Sequence, residues 1–239
     1  MSIKHQLRTF LWKFGYDISR FIPTSHPLAR RKQIMDSYNI DIVLDVGANV
    51  GSYALQLREI GYVNKIVSFE PLSSALQSLK ANSRRDQNWD VFNFALGDVD
   101  EKQTINISEN SYSSSLLDML PAHIKSAPQS YYRGKELIDI KKLDGIFDDL
   151  CSQHSNVYMK IDTQGFEHKV INGAESSLAR INTVQIEMSI VPLYSGALLF
   201  DDMFRLMRDK DYTLIAIEPG FSDPNSGQLL QFDGIFHRF

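Results

Sequence analysis

The run Ile42-Val43-Leu44-Asp45-Val46-Gly47-Ala48-Asn49-Val50-Gly51 carries an apolar strand, interrupted by one acid, into a glycine-spaced turn. The apolar positions Val50, Tyr53, Ala54, Leu57 and Ile60 then recur at helical intervals up to Gly61. Strand, tight turn and amphipathic helix in that order open a parallel α/β sheet, whose ligands sit beyond the carboxyl ends of the strands. Nineteen residues after Gly51, the apolar run Lys65-Ile66-Val67-Ser68-Phe69 delivers Glu70. An acid there is placed to accept hydrogen bonds from both hydroxyls of a ribose.

The alternation continues down the chain. Strands are expected at 41–46, 65–70 and from Trp89 to Leu96, with helices between them, the second started by Pro71. An additional edge strand is expected at 103–108. A long excursion from Glu109 to Lys135, rich in Ser, Pro and Tyr, follows; a loop of that length is either functional or disordered. A strand near 136–141 and a short helix through Leu143, Ile146, Phe147 and Leu150 lead to the fourth core strand, Val157 to Ile161, ending at Asp162. A helix with Val170, Ile171, Ala174 and Leu178 follows, then a strand from Thr183 to Met188, and a helical stripe of Phe200, Met203, Phe204 and Met207. The chain closes with strands at 212–217 and Leu229 to Phe239, joined by a turn-rich segment. The expectation is an α/β fold: a seven-stranded, mostly parallel sheet with a C-terminal antiparallel hairpin and helices on both faces. At 239 residues the chain has room for one such domain, at 41–239, plus a helical extension at 1–40.

Charge divides along the same boundary. Residues 1–35 hold seven Lys or Arg against Asp17, whereas the remainder has 18 basic and 28 acidic side chains. Leu7, Phe10, Leu11, Phe14, Ile18 and Phe21 follow helical spacing among Lys4, Arg8 and Lys13. That stripe suits packing on the domain or on a second copy in a homo-oligomer first, and otherwise peripheral contact with an anionic membrane through residues 1–35. An acidic body argues against nucleic-acid partners. The single Cys151 excludes an intramolecular disulfide, and no run reaches the roughly 18 apolar residues of a membrane span. A cytoplasmic protein, free or membrane-associated, is expected.

A dinucleotide fingerprint needs G-x-G-x-x-G; Gly47 and Gly51 give G-x-x-x-G. Without the close glycine pair, the turn suits a nucleoside cofactor with no phosphate bridge, as S-adenosylmethionine is. Gly47 and Gly51 let the backbone pass beneath such a ligand, and Asp45 holds the turn or the ligand's ammonium.

Taken together, these segments resemble the FkbM-type methyltransferase family. Asp45-Val46-Gly47-Ala48-Asn49-Val50-Gly51 is similar to its first cofactor motif, Ser68-Phe69-Glu70-Pro71 to its second, and Ala95-Leu96-Gly97-Asp98 to the segment beside the adenine. Lys160-Ile161-Asp162-Thr163-Gln164-Gly165-Phe166-Glu167 resembles its most distinctive motif, and Ser113-Ser114-Ser115-Leu116, Glu187-Met188-Ser189 and Gln231-Phe232-Asp233-Gly234-Ile235-Phe236 match later segments. The resemblance implies a Rossmann-like class I methyltransferase that uses S-adenosylmethionine to O-methylate a hydroxyl on a sugar, glycan or polyketide-like metabolite. Its cofactor residues would be Asp45, Gly47, Ala48, Asn49, Gly51, Glu70, Pro71, Ala95, Leu96 and Asp162. The same fold also serves N-methylation of RNA or protein, or a non-catalytic scaffold that binds S-adenosylmethionine.

The acceptor hydroxyl needs alignment and a base. Asp162 and Glu187 are the catalytic candidates, each weighed against ordering the pocket or pairing with a cation. With Asp233, two such carboxylates would also suit a divalent cation; the metal requirement stays open. Ser114, Ser115, Tyr194 and Asp233 are candidate acceptor contacts. His123 reads as a solvated histidine, and Lys160 as a partner for a carboxylate.

Overall fold

The computed structural model describes residues 3–239, with side chains from His5 onward. Helices α1 (Ile3–Trp12) and α2 (Pro27–Ser37) precede strand β1 (Ile42–Val46), α3 (Ser52–Glu59), β2 (Lys65–Phe69), α4 (Ser73–Ser83) and β3 (Trp89–Phe92). Then come β4 (Ala95–Leu96), β5 (Glu101–Ser108), α5 (Pro121–Ser126), β6 (Tyr132–Lys141), α6 (Phe147–Leu150), β7 (Val157–Ile161) and α7 (Glu167–Asn172). The chain ends with β8 (Ile181–Ser189), α8 (Phe200–Asp209), β9 (Thr213–Pro219) and β10 (Gln231–His237).

Seven strands form one sheet in the order β3-β2-β1-β7-β8-β10-β9. β10 runs antiparallel to both neighbours, while the β2-β1-β7-β8 pairings are parallel. The expected seven-stranded sheet with a reversed C-terminal hairpin is therefore present. Its inner strands are buried on both sides, as parallel strands covered by two helical layers must be. Leu44, Met159 and Ile186 pack on the side of α6, α7 and α8. Val43, Tyr158 and Ile235 pack against Met35 of α2 and Ala54 and Leu57 of α3. Helix α2 thus belongs to the core layer beside α3, closer to the sheet than the sequence boundary near residue 40 implied.

Three expectations need correction. The strand read from Trp89 to Leu96 is broken: β3 stays in the main sheet, whereas β4 joins β5 and β6 in a separate three-stranded sheet. The Asn93 side chain diverts the chain there by donating to the Glu70 and Pro71 carbonyls at 3.0 and 2.9 Å. The strand read at 103–108 is β5 of this second sheet. The long excursion is also structured, with α5 and the start of β6, Tyr132–Lys135, inside it. His123, read as solvated, is 3% exposed, packed on Tyr194 and Phe221, and burial lowers its pKa to about 4.

Candidate active site

A cleft of about 280 Å³ opens along the carboxyl ends of β2, β1 and β7 and reaches β10. Its floor is the glycine turn. The amides of Gly47 and Ala48 both donate to the Phe69 carbonyl, at 3.1 and 3.0 Å, which ties the turn to β2. Gly47 has φ +78°, and a Cβ added there would lie 1.9 Å from the Asp162 carbonyl oxygen. Only glycine lets β1 and β7 approach so closely at their tips. Asn49 also has positive φ, at 49°. Its amide donates to Glu70 Oε2 at 2.8 Å and its side-chain oxygen accepts from Val50 N. Glu70 Oε1 accepts from Leu72 N at 2.8 Å.

Glu70 therefore braces the turn while lining the cleft, and each oxygen keeps a lone pair for a further donor. Burial pushes its pKa up to about 7. Gly47, Ala48, Asn49, Pro71, Ala95, Leu96, Asp162, Ser114 and Asp233 also line the cleft. Leu96, Ile105, Leu116 and Phe166 give it an apolar end suited to a base.

Five of the candidate residues do not border it. Asp45 is fully buried beneath the turn, where it accepts from Ser68 Oγ at 3.2 Å and faces Lys160 Nζ at 3.7 Å; it anchors the cradle rather than lining it. Gly51, at φ +88°, lies against Leu79 and Trp89 and shapes the helix start. Glu187 Oε2 accepts from Gln164 Nε2 at 2.9 Å and Gln231 Nε2 at 2.7 Å. Withdrawal from water and the neighbouring Asp162 and Asp233 carboxylates push Glu187 well above the usual range. Ser115 Oγ donates to the Gln164 carbonyl, and Tyr194 Oη to Gln164 Oε1, both at 2.7 Å. Glu187, Ser115 and Tyr194 together grip Gln164, which has φ +57°, and so fix the loop that follows Asp162. They serve the wall rather than touching its contents. Glu167 completes that grip: its Oε1 accepts from the Thr163 and Gly165 amides at 2.9 and 3.1 Å.

The wall toward β10 was less legible. Pairing register places Asp45, Lys160, Gln185 and Ile235 in a row across the sheet, with Glu187, Asp233 and Glu218 in the next row. These side chains share the α2–α3 side. Lys160 Nζ pairs with Asp162 Oδ2 at 3.2 Å. Arg31 of α2 pairs with Glu218 and lies over the Tyr53 ring at 4.6 Å. Tyr53 and Tyr158 hydroxyls both donate to Gln185 Oε1, at 2.9 and 2.7 Å. Arg31, Tyr53, Gln56, Lys160 and Gln185 all line the cleft. Sequence reasoning assigned Arg31 to the basic N-terminal stretch and Tyr53 to an apolar stripe; a tyrosine in an otherwise inward-facing helical stripe was the available signal.

Asp233 differs from the other carboxylates in this row. It lines the cleft and is without a hydrogen-bond partner among the described residues, while Asp162, Glu187 and Glu218 are each engaged. Burial, then repulsion from Asp162, raises its pKa to about 6, with Lys160 opposing. No group of three or more His, Cys, Asp or Glu among the described residues is arranged to hold a cation. Lys160 Nζ instead stands between Asp45 and Asp162.

A family model described as the methyltransferase FkbM domain matches residues 45–214. The antimetabolite synthetase AmbE of Pseudomonas aeruginosa is 24% identical over 176 residues, which is 62% of this chain and 8% of that protein. The chain thus spans under a tenth of the curated relative it matches. Among solved structures, an rRNA methylase from Streptococcus thermophilus aligns with TM-score 0.47 and 10% identity, covering 90% of this chain and 97% of that one. A putative tRNA (m1A22) methyltransferase from Streptococcus pneumoniae, in complex with S-adenosyl-L-methionine, aligns with TM-score 0.46 and 12% identity, over 87% and 72% of the two chains.

Proposed function

Because the chain belongs to the FkbM methyltransferase family, and so is an S-adenosylmethionine-dependent methyltransferase, we propose that it methylates a hydroxyl of an uncharged sugar, glycan or polyketide-like metabolite, with Asp233 as the base. The observation that carries this reading is the unpartnered Asp233 carboxylate on the cleft wall. It stands four strand spacings from the Glu70 strand in the sheet order, about 19 Å at the usual strand separation. That span accommodates a ribose at one end and an acceptor at the other.

The residues fit the cofactor. Gly47 leaves space where any side chain would strike backbone, Glu70 offers free lone pairs to ribose hydroxyls, and Asp162 supplies negative charge at the turn. S-adenosylmethionine supplies a methyl group on a positively charged sulfur. Asp162, held by Gln164 and Lys160, orients that end of the cleft. Asp233 takes the hydroxyl proton as the oxygen acidifies.

Acceptor charge follows from the same wall. Arg31 and Lys160 are each already paired with carboxylates, and Glu70, Asp162 and Asp233 line the space. A cleft of this sign disfavours phosphates and other anions, which argues against an RNA substrate. A related segment within an antimetabolite synthetase is in keeping with a small-molecule acceptor. The test is transfer of tritium from methyl-labelled S-adenosylmethionine to a panel of free sugars, glycosides and hydroxylated polyketides. Labelling of a neutral hydroxylated compound is expected; labelling of RNA or of an amine in its place would refute the reading.

A pH dependence is built into Glu70. Its pKa rises to about 7 from the ordinary 4.5, so in the free protein its stabilising contribution is full below 4.5 and is lost as pH rises through about 7. Ribose hydroxyls and a cationic ligand favour the ionised form. Affinity for S-adenosylmethionine should therefore climb as pH rises toward 7 and level off above it. Titration calorimetry in two buffers of different ionisation enthalpy should show proton release near pH 6, and none in Glu70→Gln.

A further inference from the structure

We propose that residues 7–22 form a docking arm for an anionic lipid surface, held outside the catalytic domain's two core layers. Of the 18 large apolar side chains that are exposed among the described residues, eight fall in these 16 positions: Leu7, Phe10, Trp12, Phe14, Tyr16, Ile18, Phe21 and Ile22. The packing on the domain that the stripe suggests is absent, since these side chains are exposed. Exposure does not come from a lack of order within the arm. Arg8 pairs with Asp17 at 2.6 Å, and Trp12 Nε1 donates to the same carboxylate at 2.9 Å, which folds the chain back on α1. Phe10 and Phe14 meet edge to face at 5.2 Å.

An apolar patch this concentrated marks an interaction surface. Its charge selects the occupant. Asp17 is taken by Arg8, whereas Lys13 and Arg20 are exposed and unpaired among the described residues. The arm is thus net positive on an acidic chain. Trp12 and Tyr16 carry rings with one polar edge, suited to the headgroup level of a bilayer. An anionic bilayer supplies both an apolar layer and the opposing charge. No helix among the described residues is long and apolar enough to cross a membrane, so the contact is peripheral. The arm leads into α2, where Arg30 Nε donates to the Pro23 carbonyl at 3.1 Å and the next residue lines the cleft.

The test is flotation of the full chain with phosphatidylcholine vesicles, with and without about one-third phosphatidylglycerol. The chain should float with the anionic vesicles, and much less with phosphatidylcholine alone. Trp12→Ser with Phe14→Ser, and separately Lys13→Glu with Arg20→Glu, should each weaken the anionic binding by at least about tenfold. Both variants lie outside the core and should keep the parent's melting temperature and cofactor affinity. No flotation of the parent, or flotation unaltered by both variants, would overturn the proposal. So would a dimer in light scattering that the Trp12 and Phe14 changes dissociate without any vesicle binding, since the partner is then a second copy.

Discussion

Replacing Asp233 with asparagine should lower kcat by about 10²- to 10⁴-fold, the usual contribution of a positioned general base. Affinity for S-adenosylmethionine should stay within about threefold of the parent if, as proposed, Asp233 serves the acceptor rather than the cofactor. The pH profile gives the sharper readout. With a pKa raised to about 6, Asp233 must lose its proton to work, so kcat should rise with pH through about 6 and then level. That limb should vanish in Asp233→Asn. Burial sets it first, then Asp162 and Lys160 at the end of β7, Glu218 on β9 and Arg31 on α2; Glu187 on β8 faces Asp233 across the strand pair. Glu187→Gln is the informative comparison. Its carboxylate accepts from Gln164 and Gln231, an arrangement that a glutamine oxygen can keep. A loss no larger than about tenfold is expected there. Steady-state kinetics giving the larger loss to Glu187→Gln would move the base to β8.

Gly47→Ala should abolish cofactor binding and destabilise the fold by about 3 kcal/mol or more. Two costs combine. The residue sits at φ +78°, and its added Cβ would be 1.9 Å from the Asp162 carbonyl oxygen, which belongs to the backbone and has no rotamer in which to escape. Relief requires β1 and β7 to part at their tips, which breaks the Asp162 N to Val46 O bond of 3.1 Å and opens the cleft floor. Gly61→Ala separates conformational strain from collision. Gly61 has φ +89° with nothing near its would-be Cβ, so about 1–2 kcal/mol should be lost and binding kept. Urea melts and titration calorimetry on the pair check both parts.

What could be read in advance follows from periodicity and from local chemistry. The alternation of apolar runs gave the strand and helix order, because inner parallel strands must be apolar on both faces. The glycine turn and Glu70 were legible because their spacing is set by one βαβ unit. The breaks came where side chains far apart in sequence decide the outcome. Asn93 ends β3 by bonding to carbonyls at Glu70 and Pro71, and nothing local to residues 89–96 announces that. Ser115 and Tyr194 were sensible acceptor contacts by type, yet both are consumed in holding Gln164. Arg31 reaches the cleft only because α2 packs beside α3, a placement that depends on Met35 meeting the core. The row of Asp45, Lys160, Gln185 and Ile235, and the next row that holds Asp233, exist only in the register of four strands.

In the proposed arrangement the nucleoside lies over the glycine turn with its ribose on Glu70, leaving Asp233 to face the acceptor. A crystal structure with S-adenosylhomocysteine tests this most directly. Both ribose hydroxyls should lie within hydrogen-bond distance of Glu70, with the sulfur directed toward Asp162 and Asp233. A nucleoside bound elsewhere, or one in the cleft with its ribose turned away from Glu70, would contradict it.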